Sequence, residues 1–111
     1  MANNNSVVQN PEQQVPKTLE MNDRDYLNDV LSTEKYLTDS FNIATREASH
    51  DALFQDVMQV LTENHTLARN AYNLMFQKGW YKVEKADAQK IQQTASKFQG
   101  YKSQFPQGQF Q

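Results

Sequence analysis

One glycine, Gly79, ends the longest apolar helical pattern in the chain and is followed at once by the only tryptophan, in the run Leu74-Met75-Phe76-Gln77-Lys78-Gly79-Trp80-Tyr81. Glycine can take the left-handed conformation that closes a helix, and the residue beyond such a cap tends to fold back onto the last turn. Trp80 is therefore expected to clamp the end of a long helix, with Tyr81 beside it. That fixed end makes the preceding chain readable as a helical hairpin.

Two apolar patterns of helical period precede it. The first starts at Asn22 or Asp23, whose side chains can cap free amides, and runs to about Ala48. It places Tyr26, Leu27, Val30, Leu31, Leu37, Phe41, Ala44 and Ala48 on one face. Ser49 is expected to cap the second helix, from about His50 to Lys78, and so short a link makes the two helices antiparallel neighbours. The second helix carries Leu53, Val57, Val60, Leu61, Leu67, Ala68, Ala71, Leu74 and Met75 on one face, and Phe54, Met58, Leu61, Tyr72 and Phe76 in a row beside it. One partner helix cannot cover so wide an arc. A third helix, from about Glu84 to Phe98, offers a narrow stripe of Ala88, Ile91, Ala95 and Phe98. Tyr36 and Ile43 lie on the outer side of the first helix, and with the surplus apolar arc they lead us to expect self-association into a four-helix bundle.

The expected fold is all-α: an antiparallel hairpin plus a short third helix over residues 21–98. Three glycines and three prolines in 111 residues fit such a fold better than a turn-rich β architecture. Residues 1–20, with an Asn run, paired glutamines, Pro11 and Pro16, read as a disordered polar arm, and residues 99–111, rich in Gln with Tyr101, Phe105 and Phe110, as a flexible tail. The net charge of −2 argues against nucleic-acid binding. It is unevenly spread: Asn22 to Asp51 holds seven acids against three bases, and the stretch from Trp80 onward holds five lysines against two acids. No apolar run approaches a membrane span and the first residues lack the pattern of an export signal, so synthesis in the cytoplasm is expected, with no membrane partner. With no cysteine there is no disulfide and no thiolate chemistry.

Polar residues interrupt the seam. Glu34 stands in the middle of the first helix's apolar face, Asn64 at the corresponding place in the second, and His65 in its side row. Matching heights about the turn puts Glu34 level with Asn64 and His65, and a buried carboxylate needs a partner. Two readings follow: a hydrogen-bonded Glu34-Asn64-His65 group that sets the register, or half of an iron or manganese site completed by a second copy. The paired Glu-x-x-His motif of carboxylate di-iron bundles is missing, since Thr62 stands three residues before His65. No phosphate loop, nucleophile elbow or paired histidine motif is present, so no catalytic residue and no cofactor are expected.

The order of Asn22-Asp23-Arg24-Asp25-Tyr26-Leu27-Asn28-Asp29-Val30-Leu31, Ser32-Thr33-Glu34-Lys35-Tyr36, Ala44-Thr45-Arg46-Glu47-Ala48-Ser49 and Met75-Phe76-Gln77-Lys78-Gly79-Trp80-Tyr81-Lys82-Val83 resembles the spore coat protein F family of endospore-forming bacteria. The resemblance spans Met21 to Ala86. It implies a ferritin-like helical bundle and a structural, non-enzymatic role in the spore coat, with other coat proteins as partners. It does not carry ferroxidase chemistry with it. Crosslinking of Gln104, Gln107 and Gln109 to amines such as Lys97 and Lys102 is a further expectation, resting on composition alone.

Overall fold

The computed structural model describes residues 6–106. Gln9–Lys82 form one compact unit, and residues 6–8 with 83–106 belong to another. In the first unit, helix α1 (Asp23–Glu47) and helix α2 (Asp51–Gln77) make the expected antiparallel hairpin.

The start of α1 is fixed by a reciprocal capping box. The Asn22 side chain accepts from the Asp25 amide at 3.0 Å, and the Asp25 carboxylate accepts from the Asn22 amide at 3.1 Å. Asp23 and Asp25 also stand at the positive end of the helix dipole. The start of α2 departs from expectation: His50, not Ser49, occupies the capping position, and it makes no side-chain cap bond. Because the helix begins at Asp51, Ser49 stands one residue too early to cap it, and Asp51 supplies the favourable charge in the first turn.

The seam between the helices has a strict spacing. On α1 it comprises Leu27, Leu31, Glu34, Thr38, Phe41 and Thr45, all buried or half-buried, at alternating steps of four and three. On α2 it comprises Val57, Leu61, Asn64, Ala68, Ala71 and Met75, at the same alternating steps. These are the a and d positions of a heptad, and the antiparallel match brings Leu27 and Leu31 to the end of α2 that carries Ala71 and Met75. Leu31, Ala71, Met75 and Trp80 are the buried apolar residues at the open end of the hairpin, flanked by Val15, Leu27, Ala68, Tyr72 and Tyr81. Toward the middle the seam turns polar. Buried Thr38 and Thr45 are satisfied within their own helix, donating to the Lys35 and Phe41 carbonyls at 2.9 and 2.7 Å. Glu34 is 7% exposed, and its Oε2 has no hydrogen-bond partner.

The end of α2 closes as the Gly79-Trp80 pair requires. Gly79 has φ 74°, the Gly79 amide donates to the Phe76 carbonyl at 3.1 Å, and the Trp80 amide reaches back to the Met75 carbonyl at 2.9 Å. This pair of bonds is a Schellman motif, with Trp80 packed into the same core as Met75.

Where a disordered arm is expected over 1–20, residues 9–16 form an extended strap across this helix end. Gln9 Nε2 donates to the Gly79 carbonyl at 3.1 Å, Asn10 Nδ2 to the Phe76 carbonyl at 2.8 Å, and the Gln13 amide to the Lys78 carbonyl at 2.8 Å. In return the Trp80 indole Nε1 donates to the Gln13 carbonyl at 2.8 Å. The last carbonyls of a helix lack intrahelical donors, and the amides of a polar arm supply them. That is why a composition typical of disorder is ordered here. The Glu12–Arg24 ion pair at 3.2 Å lies with both side chains about half exposed and adds little.

In the second unit, β1 (Val7–Val8) pairs antiparallel with β2 (Val83–Glu84), and the Lys85 amide donates to the Ser6 carbonyl at 2.6 Å. Helix α3 (Ala88–Gly100) starts at Asp87, whose side chain accepts from the Gln89 amide at 2.9 Å. It starts later and ends later than the expected 84–98. A 3-10 turn, Tyr101–Gln104, follows where a flexible tail is expected, and Tyr101 meets Phe98 edge to face at 5.5 Å. The rest of that tail, from Gln107 on, lies outside the described residues, as do residues 1–5 of the arm.

Two stability predictions follow. A Cβ at position 79 would meet the Pro11 carbonyl oxygen and stand 2.6 Å from the Asn10 carbonyl oxygen, both backbone. Added to the positive φ, this makes Gly79→Ala destabilising by at least about 2 kcal/mol, measurable by urea unfolding. Glu34→Met, close in volume, removes an unpartnered buried oxygen and raises stability by about 1 kcal/mol in the same measurement.

Candidate assembly surface

Gly79, Trp80 and Tyr81 come together as one structural group. Trp80 is buried and carries Lys78 Nζ at 5.5 Å from its ring centroid. Tyr81 stands against Tyr72 edge to face at 4.9 Å and holds Lys35 Nζ at 5.6 Å from its ring centroid. A residue just beyond α2 thus ties the side of α1 that carries Lys35 to the side of α2 that carries Tyr72. Aromatic and cation contacts of this kind each contribute about 1 kcal/mol.

The polar group expected in the seam is not assembled. Glu34 is buried, but the Asn64 side-chain amide turns to its own helix and donates to the Val60 carbonyl at 2.9 Å, and His65 is exposed. No hydrogen bond joins the three. Asn64 shares the a and d ladder with Glu34 but gives its amide to its own helix, and His65 stands at the flanking e position, outside that ladder. Among the described residues no group of three or more His, Cys, Asp or Glu could hold a metal. No described helix is long and apolar enough to cross a membrane.

The hairpin instead exposes large apolar side chains. Tyr36 and Ile43, 73% and 52% exposed, occupy the outermost position of the α1 heptad. Phe54 and Met58 are exposed near the start of α2. Two further rows, which periodicity alone places on the inner face, also reach the surface: Val30 and Ala44 with half-buried Leu37 between them on α1, and exposed Leu53, Val60, Leu67 and Leu74 on α2. Each row repeats every seven residues, one position before the seam's a residues, and so occupies the g position beside the seam. The steady spacing of seven was the signal that sets these residues apart from the seam residues, which alternate three and four.

A family model described as the Coat F domain matches residues 22–84, from the cap of α1 through the hairpin and the Trp80 turn to β2. The uncharacterized protein YusN of Bacillus subtilis (strain 168) is 48% identical over 99 residues, covering 89% of this chain and 90% of that protein. No solved structure matches. The match begins at the Asn22 cap and runs past the Gly79-Trp80 turn, and the chain belongs to the Coat F domain family.

Proposed function

We propose that this protein is a structural component of the bacterial spore coat that acts by protein–protein assembly, with the hairpin as its building block. Membership of the Coat F domain family supports the spore coat role. The observation that carries the assembly half is the apolar surface of the hairpin: a seam of a and d residues is filled within the chain, yet Val30, Leu53, Val60, Leu67 and Leu74 beside it stay exposed. Contiguous exposed apolar rows on a folded domain mark interaction surfaces. A helix with a, d and g positions apolar is patterned for a bundle of more than two helices. The partners in this reading are further copies of the chain and other coat proteins, and the ferritin-like four-helix arrangement is the assembled form.

The alternative, a protective iron- or manganese-binding bundle, would need Glu34 and His65 to act together. One is buried in the seam and the other exposed on the flank. Nothing in the geometry favours it over the assembly reading.

The protein is expected in washed spores and their coat extracts, at levels that rise during sporulation. Immunodetection in dividing cells, sporulating cells and coat extracts checks this. Abundant protein in dividing cells with none in spores would contradict the coat role.

A further inference from the structure

The exposed g rows of the two helices form one continuous face, and we propose that its occupant is the hairpin of a second copy of this chain, packed to complete an antiparallel four-helix bundle. This deepens the assembly half of the reading above by naming the surface and its partner.

That the two rows share a side follows from the register. In an antiparallel helix pair the g positions of both helices flank the seam on one side and the e positions on the other. The e side is fixed by contact: Lys35 on α1 and Tyr72 on α2 both occupy e positions and both lie against Tyr81. Val30, Leu37 and Ala44 therefore share the opposite side with Leu53, Val60, Leu67 and Leu74. The two sides differ in kind. The e side of α1 carries Asn28, Lys35 and Asn42 and is closed at one end by Tyr81, and the g side is apolar along its length.

Area and length argue for a second hairpin. The rows leave Val30, Leu53, Val60, Leu67 and Leu74 between 37% and 49% exposed, and Ala44 exposed as well. Together they present on the order of 500 Å² in one patch, at the upper end of what a monomer leaves uncovered. With its flanking residues the face approaches the ~800 Å² per partner of a stable interface. The helices have 25 and 27 residues, so the face is about 40 Å long. Another hairpin matches that length. A helix of 13 residues such as α3 spans only about 20 Å. By contrast, Tyr36 and Ile43 are two isolated side chains with polar residues between them.

The flanking charges choose the arrangement. Asp56 and Glu63 border the apolar row on α2, and Thr33, Ser40 and, at the last residue of the helix, Glu47 border it on α1. Packing α2 against the partner's α2 would set two acids on each helix against each other, and packing α1 against the partner's α2 sets hydroxyl groups against them along the row and leaves Glu47, at the end of α1, as the one facing acid. The twofold axis therefore runs along the helices, with both turns at the same end.

Sedimentation velocity on the full chain tests this. The wild type is expected to sediment as a dimer, and the Val60→Glu/Leu67→Glu variant as a helical monomer whose dimer dissociation constant has risen at least about a hundredfold. Tyr36→Glu/Ile43→Glu is expected to remain dimeric. Should the charged variant fail to fold, the chain's lack of cysteine allows a second reading. A short bismaleimide is expected to give a covalent dimer from Thr33→Cys/Asn70→Cys and none from Ile43→Cys. A wild-type monomer at all concentrations, a dimer that survives the glutamates, or crosslinking from position 43 and not from 33 and 70 would each overturn the proposal. None of these results would alter where the protein is found, so loss of the dimer and loss of the coat role are separately visible.

Discussion

The left-handed turn at Gly79 is the constraint on which the hairpin depends. It directs Trp80 back onto Met75 and holds the indole where the strap can reach it, with Nε1 donating to the Gln13 carbonyl at 2.8 Å. Three carbonyls at the end of α2 then find donors in Gln9, Asn10 and Gln13, and Val15 is drawn against the core. Without that turn the strap would lose its anchor, and the buried cluster of Leu31, Ala71, Met75 and Trp80 would lose its cover. The same turn carries Tyr81 to the e side of the hairpin, where it closes over Tyr72 and approaches Lys35.

The two long helices and their antiparallel pairing were legible because helical period and caps are local signals. Asn22, Asp25 and Gly79 act as their chemistry predicts. The capping of α2 was not legible, because choosing between Ser49 and His50 depends on a one-residue difference in where the helix begins. Helical period alone makes the seam look wider than it is. Thr38 and Thr45 look like surface residues until their hydroxyls bond to their own helix, and Val30, Leu37, Val60 and Leu67 look like core until the a and d ladder is found to be filled without them. The strap was missed for a different reason: its bonds join residues more than sixty positions apart, and composition cannot report those.

A seam apolar at one end and polar at its centre is a weak core for a free-standing pair of helices. Glu34, Thr38 and Asn64 stand at positions where a stable two-helix coil would carry leucine or isoleucine. Polar residues at such positions trade stability for register. A chain built in this way suits a subunit whose stability is completed by its neighbours, as the assembly reading requires. The apolar g rows supply the attachment, and the strapped end keeps the hairpin in one register before it meets a partner.

The most direct test of this account is hydrogen exchange at the indole of Trp80, which as the only tryptophan gives one resolved signal in a proton NMR spectrum. If the strap closes the hairpin end, the Nε1 proton is protected by more than about a hundredfold, in step with the backbone amides of Ala71 and Met75. An indole proton that exchanges at the rate of free tryptophan while those helix amides stay protected would contradict the account.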